Sequence, residues 1–222
     1  MNIFAKRSGL VLFDLLSGEE ELSVRELSRA TGVSVGQVQK IIAALVYDGF
    51  VKSDGVRTAK TYRLEKRGPL FRKWLSSYSI ADKCKLYTYN SGYAVDELYS
   101  RLESSKSAAS VSLCLHSAAR AMEKSFTTLE NLELYLRAPE KRIALEKELR
   151  LEPCERGYQV LFIEPYYKTI IEKRSEAKGK LSVSPPLLTV LDLWHFPLRG
   201  QEQAEHLLRS HPDLRRLALA QS

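Results

Sequence analysis

Two helix starts lie close together near the amino end of this 222-residue chain, and they restrict its fold more than any other feature. Ser23-Val24-Arg25-Glu26 has the pattern of a capping box, in which the serine hydroxyl and the glutamate carboxylate each bond a free backbone amide. The pattern returns at Ser34-Val35-Gly36-Gln37. Because Thr31-Gly32 ends the first helix just before the second begins, the two helices must cross steeply. The spacing predicts a helix-turn-helix unit.

The segments on either side extend this unit. An apolar helical pattern over residues 4–16 precedes it, and a change to strand-like alternation follows Asp48-Gly49. There, Phe50-Val51-Lys52 and Thr61-Tyr62-Arg63-Leu64 flank the turn pair Asp54-Gly55, which predicts a β-hairpin. Three helices followed by a basic hairpin resemble the winged-helix family over residues 1–66. The resemblance implies a third helix in the DNA major groove and a wing on neighbouring backbone or minor groove, although some winged helices bind only proteins.

The polar side of the third helix supplies candidate DNA contacts, because Val38, Ile41, Ile42 and Leu45 form its apolar side. The candidates on this helix are Ser34, Gly36, Gln37, Gln39 and Lys40. Glutamine can pair with adenine, lysine reaches guanine or phosphate, and a glycine permits close backbone approach. Arg57, Lys60 and Arg63 of the hairpin are the candidate phosphate contacts. The alternative is an ordinary polar helix face in which Gln37 only completes its capping box.

The charge distribution points to the same part of the chain. The net charge is +7, and residues 52–73 hold eight basic side chains against two acidic ones, so that the remainder sums to +1. A basic excess favours a polyanionic partner, either nucleic acid or an anionic membrane surface, although many such clusters are only solvated surface. Combined with the helix-turn-helix pattern, the cluster predicts binding to double-stranded DNA.

The rest of the chain predicts a second domain. Residues 67–82 form a connector with one short helix, which carries Leu70, Phe71, Trp74 and Leu75 and could pack against the first helix or form a homodimer contact. Over 83–222, helical signals alternate with strand signals at 110–115, 131–136 and 158–164. Ser184-Pro185 predicts a further helix, with the serine as cap and the proline in the first turn. We therefore expect an α+β fold with three parts: a winged helix (1–66), the connector (67–82) and a mixed sheet flanked by helices (83–222).

The carboxy-terminal part carries a second resemblance. Val183-Ser184-Pro185, Leu191-Asp192-Leu193-Trp194 and the run from Arg199 to Leu207 are similar to the signature of AbiEi-type antitoxins of type IV toxin-antitoxin systems and the related transcriptional regulators. The resemblance implies a degenerate nucleotidyltransferase-like topology for the second domain. It also implies a cytoplasmic repressor, or alternatively an antitoxin that neutralises a nucleotidyltransferase-type toxin. This chain departs from the family pattern at Leu115-His116-Ser117-Ala118-Ala119, where the family tends to have a glycine and small residues.

Catalysis is not expected. Nucleotidyltransferases resemble one another in a Gly-Ser turn and in paired acidic residues, because phosphoryl transfer needs amides at phosphate and carboxylates on magnesium. No Gly-Ser follows Leu115, and Glu130 and Glu133 are three residues apart, so on a strand they would point to opposite faces. The four histidines and three cysteines show no metal-ligand spacing, and no cofactor motif is present. Widely spaced cysteines favour a reducing compartment, and the longest apolar run, Ile41 to Val46, predicts no membrane span.

Overall fold

The capping and hairpin signals of the sequence are realised in a computed structural model, which describes residues 2–18, 21–56, 60–127 and 130–218. The chain divides into two units. The first unit comprises Met1–Tyr78 together with Arg215–Ser222, and the second unit comprises Ser79–Leu214.

The first unit has the predicted order of three helices and a hairpin. Its elements are α1 (Lys6–Ser17), α2 (Val24–Thr31), α3 (Val35–Tyr47), β1 (Val51–Asp54), β2 (Thr61–Leu64), α4 (Arg67–Ser77) and α12 (Arg215–Ala218). The hairpin is antiparallel, with Val51 opposite Leu64 and Asp54 opposite Thr61, so Asp54 belongs to the strand and the loop begins at Gly55. Leu22 exchanges two backbone hydrogen bonds with Tyr62, and this bridge ties the segment before α2 to the hairpin.

The start of α4 is bonded to the end of α1, which agrees with one of the two arrangements expected for the connector. The apolar side chains of α4 at positions 70, 71, 74 and 75 are buried. The Trp74 ring stacks on Phe4 at a centroid distance of 6.4 Å. The Arg67 guanidinium donates hydrogen bonds to backbone carbonyls at the end of α1, reaching Leu15 at 3.2 Å, Gly18 at 2.8 Å and also Leu16. These bonds satisfy carbonyls that a helix C-terminus leaves without partners.

The second unit is built on a seven-stranded mixed sheet. Its strands are β3 (Lys85–Ser91), β4 (Val111–Leu113), β5 (Leu132–Leu136), β6 (Leu151–Pro153), β7 (Val160–Glu164), β8 (Glu176–Lys178) and β9 (Leu181–Val183). The spatial order is β6-β3-β7-β5-β4-β9-β8, with β5–β7 and β4–β9 parallel and the other neighbours antiparallel. The helices are α5 (Ile80–Lys83), α6 (Val95–Ser104), α7 (Leu115–Ala121), α8 (Arg142–Glu148), α9 (Lys168–Arg174), α10 (Pro186–Trp194) and α11 (Gly200–Ser210).

Successive side chains of a strand point to opposite faces of the sheet, and all five residues of β5 are buried. Both faces of the sheet are therefore covered at this strand. Leu132, Leu134 and Leu136 of β5 join an apolar core with residues of α6 and α8. On the opposite face, Glu133 bonds the start of α7 and Tyr135 bonds Asp192 of α10. The expected fold class, an N-terminal helix-turn-helix domain followed by a mixed-sheet α+β domain, is therefore confirmed.

Some local predictions are wrong. The strand expected over 110–115 ends at Leu113, because Leu115 has a φ of +48° and opens α7. Ser184 does not cap α10, since Pro185 holds the N-cap position and the helix begins at Pro186. Strands β3, β6, β8 and β9 were not predicted from the sequence. Three of these are only three residues long, and β3 buries only Tyr89, so neither length nor apolar alternation marks them.

No helix in the described parts of the chain is both long enough and apolar enough to span a membrane.

Candidate nucleic-acid interface

Side-chain hydrogen bonds fix the turn between α2 and α3. The Ser23 hydroxyl accepts the Glu26 amide at 3.2 Å, and the Glu26 carboxylate accepts the Ser23 amide at 2.7 Å, so the first capping box is confirmed. Gly32 then takes a φ of +72°, a left-handed conformation that glycine adopts without the usual steric cost. Thr31 accepts the Val33 amide through its hydroxyl and donates to the Leu27 carbonyl at 2.6 Å. The start of α3 is thereby positioned by α2.

The second capping box forms only in part. The Ser34 hydroxyl accepts the Gln37 amide at 3.4 Å, but within the described residues the Gln37 side chain returns no bond to Ser34. The Gln37 side chain is half-buried. The prediction of a complete second box is therefore wrong, and the Gln37 amide group is left for another partner.

The remaining candidates on α3 are exposed. Val38, Ile41, Ile42 and Leu45 are buried, as predicted, and they fix which side of the helix faces outward. The candidates on the outward side are Ser34, Gly36, Gln39 and Lys40. Gly36 lies three residues before Gln39 and four before Lys40, which places all three on one helix face. This face combines hydrogen-bonding groups, one positive charge and a position without a side chain.

Gly36 is not required by the fold. A Cβ atom built on this residue would meet no other atom within 4 Å. Its backbone is helical, so no left-handed conformation calls for glycine. A glycine inside a helix lowers stability relative to alanine. The packing of the described residues therefore offers no reason for this glycine.

The wing, defined as β1, β2 and their connecting loop, presents basic residues on its outer side. Lys52 and Arg63 are cross-strand partners, and both are exposed, as is Lys60. Arg63 is held by Glu65 at 2.7 Å and lies 3.9 Å from Glu21. The hydrogen bond to Glu65 raises the pKa of Arg63, so its charge is permanent but partly compensated. Arg57, the third predicted wing contact, lies outside the described residues.

Two basic residues of the cluster over 52–73 have structural roles. Arg67 is committed to the carbonyls at the end of α1. Lys73 pairs with Asp48 at 3.4 Å and lies 5.3 Å from the centre of the Phe50 ring. The net charge of residues 52–73 is therefore larger than the positive charge that is available to bind an anion.

Three further exposed residues of the first unit were not predicted from the sequence as contacts. Tyr47 is 91% exposed and lies on the same helical row as Gly36 and Lys40. Val35, at the start of α3, is 47% exposed, although it is apolar. Lys52 had been counted only as charge, yet its pairing with Arg63 places it on the outer side of the wing. The seven-residue spacing from Lys40, which is about two helical turns, could have identified the helix face of Tyr47.

The second unit contains a separate buried polar cluster. Glu133 is fully buried and accepts hydrogen bonds from the backbone amides of His116 at 2.6 Å and Ser117 at 3.1 Å. Nδ1 of His116 lies 3.2 Å from its carboxylate, and the Tyr158 hydroxyl also donates to it at 3.2 Å. The first amides of α7 are therefore satisfied by an internal carboxylate.

Burial controls the protonation of nearby groups. It raises the pKa of the Tyr158 hydroxyl, and the charge of Glu133 acts in the same direction. Burial also raises the pKa of Cys114 well above its ordinary value, with Glu133 and Asp192 as further causes. Since the thiolate is the reactive form of cysteine, Cys114 is a packing residue at neutral pH. The described residues contain no group of three or more potential metal ligands.

Residues 8–55 match the family model of the IclR helix-turn-helix domain. No curated protein and no solved structure matches the chain. The matched segment runs through α1, α2 and α3 to the first strand of the wing. The chain thus carries at its N-terminus an IclR-type helix-turn-helix DNA-binding domain, the kind of domain found in DNA-binding transcriptional regulators.

Proposed function

We propose that this protein is a transcriptional repressor, which binds duplex DNA with the outward face of α3 in the major groove and the wing on the phosphate backbone. The observation that carries the proposal is the face formed by Gly36, Gln39 and Lys40, where an unneeded glycine adjoins groups able to bond base edges. Lys52, Lys60 and Arg63 would hold the wing on phosphates, and Gln37 and Ser34 would contact the groove edge. The proposed site of action is the cytoplasm, a reducing compartment that suits the three widely spaced cysteines.

A salt titration tests the phosphate contacts. Electrophoretic mobility shifts with DNA from the region upstream of the gene should show affinity that falls steeply as salt rises. Lys60→Ala should reduce the slope of log affinity against log salt by about one and weaken binding equally across sequences. Lys40→Ala should cost about 1–3 kcal/mol and relax the sequence preference at one position.

Lys168→Ala is the matched control, because it removes the same charge from an exposed ion pair with Glu172 in the second unit. Its salt slope should equal that of the wild type. If Lys60→Ala and Lys168→Ala behaved alike, the wing would not contact phosphate. Absence of duplex binding at low salt would refute the proposal as a whole.

The repressor role itself is supported by the resemblance of residues 183–207 to AbiEi-type regulators. A promoter–reporter fusion carrying the upstream region should be less active when the protein is present. Restoration of the signal by Lys40→Ala would link repression to α3, while activation by the wild type would contradict the role. Regulators of this kind often bind as symmetric dimers on paired half-sites, so we also propose a homodimer on DNA.

An antitoxin is the second candidate function, supported by the same resemblance and by two exposed apolar side chains in the second unit. Phe126 is 47% exposed and Leu198 is 44% exposed, and the Arg199 guanidinium lies 5.5 Å from the Phe126 ring centre. Aromatic and arginine side chains are enriched at protein interfaces. A neighbouring gene for a nucleotidyltransferase whose toxicity this protein relieves would favour this role. Relief that survives Phe126→Ala would exclude Phe126 as the contact.

We further propose that the second unit does not catalyse phosphoryl transfer. If the second unit had the nucleotidyltransferase-like topology that the sequence resemblance implies, a nucleotide phosphate would be expected at the amides at the start of α7, and the Glu133 carboxylate already bonds them. Calorimetric titration with nucleotide and magnesium should therefore give no binding heat. A measurable heat that disappears in a Glu133→Gln variant would contradict this.

A further inference from the structure

A small cleft opens in the second unit between the end of α7, the β8–β9 hairpin and the start of α10. Its volume is about 270 Å³, which equals about nine water molecules at roughly 30 Å³ each. Much of its wall is apolar, with Met122, Val183, Pro185 and Pro186 among the lining residues. A cleft of this size and character suits a small metabolite with a short carbon chain.

Unpaired charges at the cleft are negative. Glu176 and Asp213 both line it, and no lysine or arginine among the described residues forms an ion pair with either. Lys178 also lines the cleft, but its ammonium group donates to the Ala121 carbonyl and pairs with Glu123 at 3.2 Å. The positive charge of Lys178 is thus already compensated. The charge of Lys124 also acts on His211, but Lys124 does not line the cleft, so the lining charges that remain uncompensated are the two carboxylates, which favour a cation.

Two buried polar groups in the cleft wall lack hydrogen-bond partners. The Ser184 side chain is 1% exposed, and its hydroxyl bonds no other described residue. Nδ1 of His211 is likewise without a hydrogen bond, and it lies 3.9 Å from the Asp213 carboxylate. Burial lowers the pKa of His211, so at neutral pH the imidazole is uncharged and one ring nitrogen can accept a hydrogen bond. Buried polar groups without partners are uncommon in folded proteins.

We propose that this cleft binds a small aliphatic amine that carries a second polar group. The ammonium group lies between Asp213 and Glu176 and donates a hydrogen bond to His211. The carbon chain packs on Met122 and Pro186, and the second polar group reaches the Ser184 hydroxyl.

Calorimetric titration of the full-length protein with four probes of equal chain length tests the ligand class. Putrescine and aminobutanol should bind measurably, and butanediol and butanoate should bind at least about tenfold more weakly. The double variant Glu176→Gln, Asp213→Asn should lose amine binding by a similar factor. Glu172→Gln changes an exposed carboxylate outside the cleft and should leave amine binding unchanged.

Ser184→Ala separates binding from folding. Removing a buried hydroxyl without a partner should leave the Tm of the free protein unchanged or higher, because no hydrogen bond is lost. The same variant should weaken aminobutanol and leave butylamine, which has no second polar group, unaffected. The proposal is overturned if no amine binds at up to about 10 mM, if butanoate binds as well as putrescine, or if Glu172→Gln weakens binding as much as the cleft variants. None of these results depends on DNA binding.

Discussion

At the scale of single residues, Gly36 is a position where a substitution can affect binding without affecting the packing of the fold. The space beside it is empty, and its helical backbone does not require glycine. Val38, Ile41 and Leu45 of the same helix are constrained by packing in the core, whereas no described side chain packs against Gly36. A substitution here can therefore change function without disturbing the fold.

Gly36→Ala should raise the free energy of unfolding of the first unit by about 0.5–1 kcal/mol, because alanine loses less backbone entropy in a helix. The same change should weaken DNA binding by about tenfold or more, since the added methyl group holds the backbone away from the groove. Urea unfolding and mobility shifts measure the two effects.

Gly92→Ala is the control for Gly36→Ala, since it also adds a methyl group into open space, but in the second unit. DNA binding should not change in this variant. If Gly36→Ala bound DNA as tightly as the wild type, close backbone approach would not occur at this position.

Glu133, in contrast to Gly36, is fully buried, and its hydrogen-bond partners among the described residues all lie inside the second unit. Glu133→Gln keeps the shape of the side chain but replaces charge-assisted hydrogen bonds to two amides by neutral ones. We expect the second unit to lose about 1.5–3 kcal/mol of stability. Trp194 fluorescence during urea unfolding reports this loss, and Glu172→Gln should stay within about 0.5 kcal/mol of the wild type.

At the scale of elements, the capping box of α2 gives a pH-dependent contribution to stability. The hydrogen bond from the Ser23 amide lowers the pKa of Glu26 below its ordinary value of 4.5. A lowered pKa in the folded state means that the stabilisation is fully present above this ordinary value and is lost as the pH falls through the folded-state pKa.

The urea midpoint of the wild type should therefore exceed that of Glu26→Gln at about pH 6, and the difference should shrink toward about pH 3. Trp74 fluorescence, which reports on the first unit, is the signal to follow. A difference that stayed constant over this range would mean that the Glu26 charge does not take part in the cap.

Elements with local signals were predictable from the sequence, and elements without them were not. The caps of α2 and α3, the hairpin and the apolar pattern of α4 depend on neighbours within a few residues, so their signals are present in the chain itself. Strands β8 and β9 are short and are defined mainly by pairing with each other and with distant β4. The carboxylate of Glu133 at α7 likewise joins residues far apart in the chain, which no spacing rule anticipates. For the DNA face, the sequence indicated the helix, while only burial distinguished half-buried Gln37 from exposed Lys40.

At the scale of the whole molecule, the first unit is not continuous in sequence. Helix α12, from the far end of the chain, belongs to it, and Arg216 donates a hydrogen bond to the Ser17 carbonyl at the end of α1. Leu217 of the same helix is 4% exposed. The chain therefore leaves the first unit after Tyr78, forms the second unit over Ser79–Leu214, and then returns to the first unit with α12.

Leu217→Ala should lower the stability of the first unit by about 2–5 kcal/mol, the range for a large-to-small change in a core. Trp74 in the first unit and Trp194 in the second allow each unit to be followed in single-tryptophan variants. The urea midpoint seen by Trp74 should fall and that seen by Trp194 should not. An equal fall in both signals would mean that the units unfold together.

The empty space beside Gly36 also has an evolutionary consequence. Where a position that contacts DNA also packs inside the fold, a change of target sequence has to be accompanied by repair of the fold. Here a new side chain could enter the interface without such repair, because nothing else in the described fold touches it. Related regulators could diverge in operator preference through this one codon, and a library at Gly36 is the natural starting point for retargeting the protein.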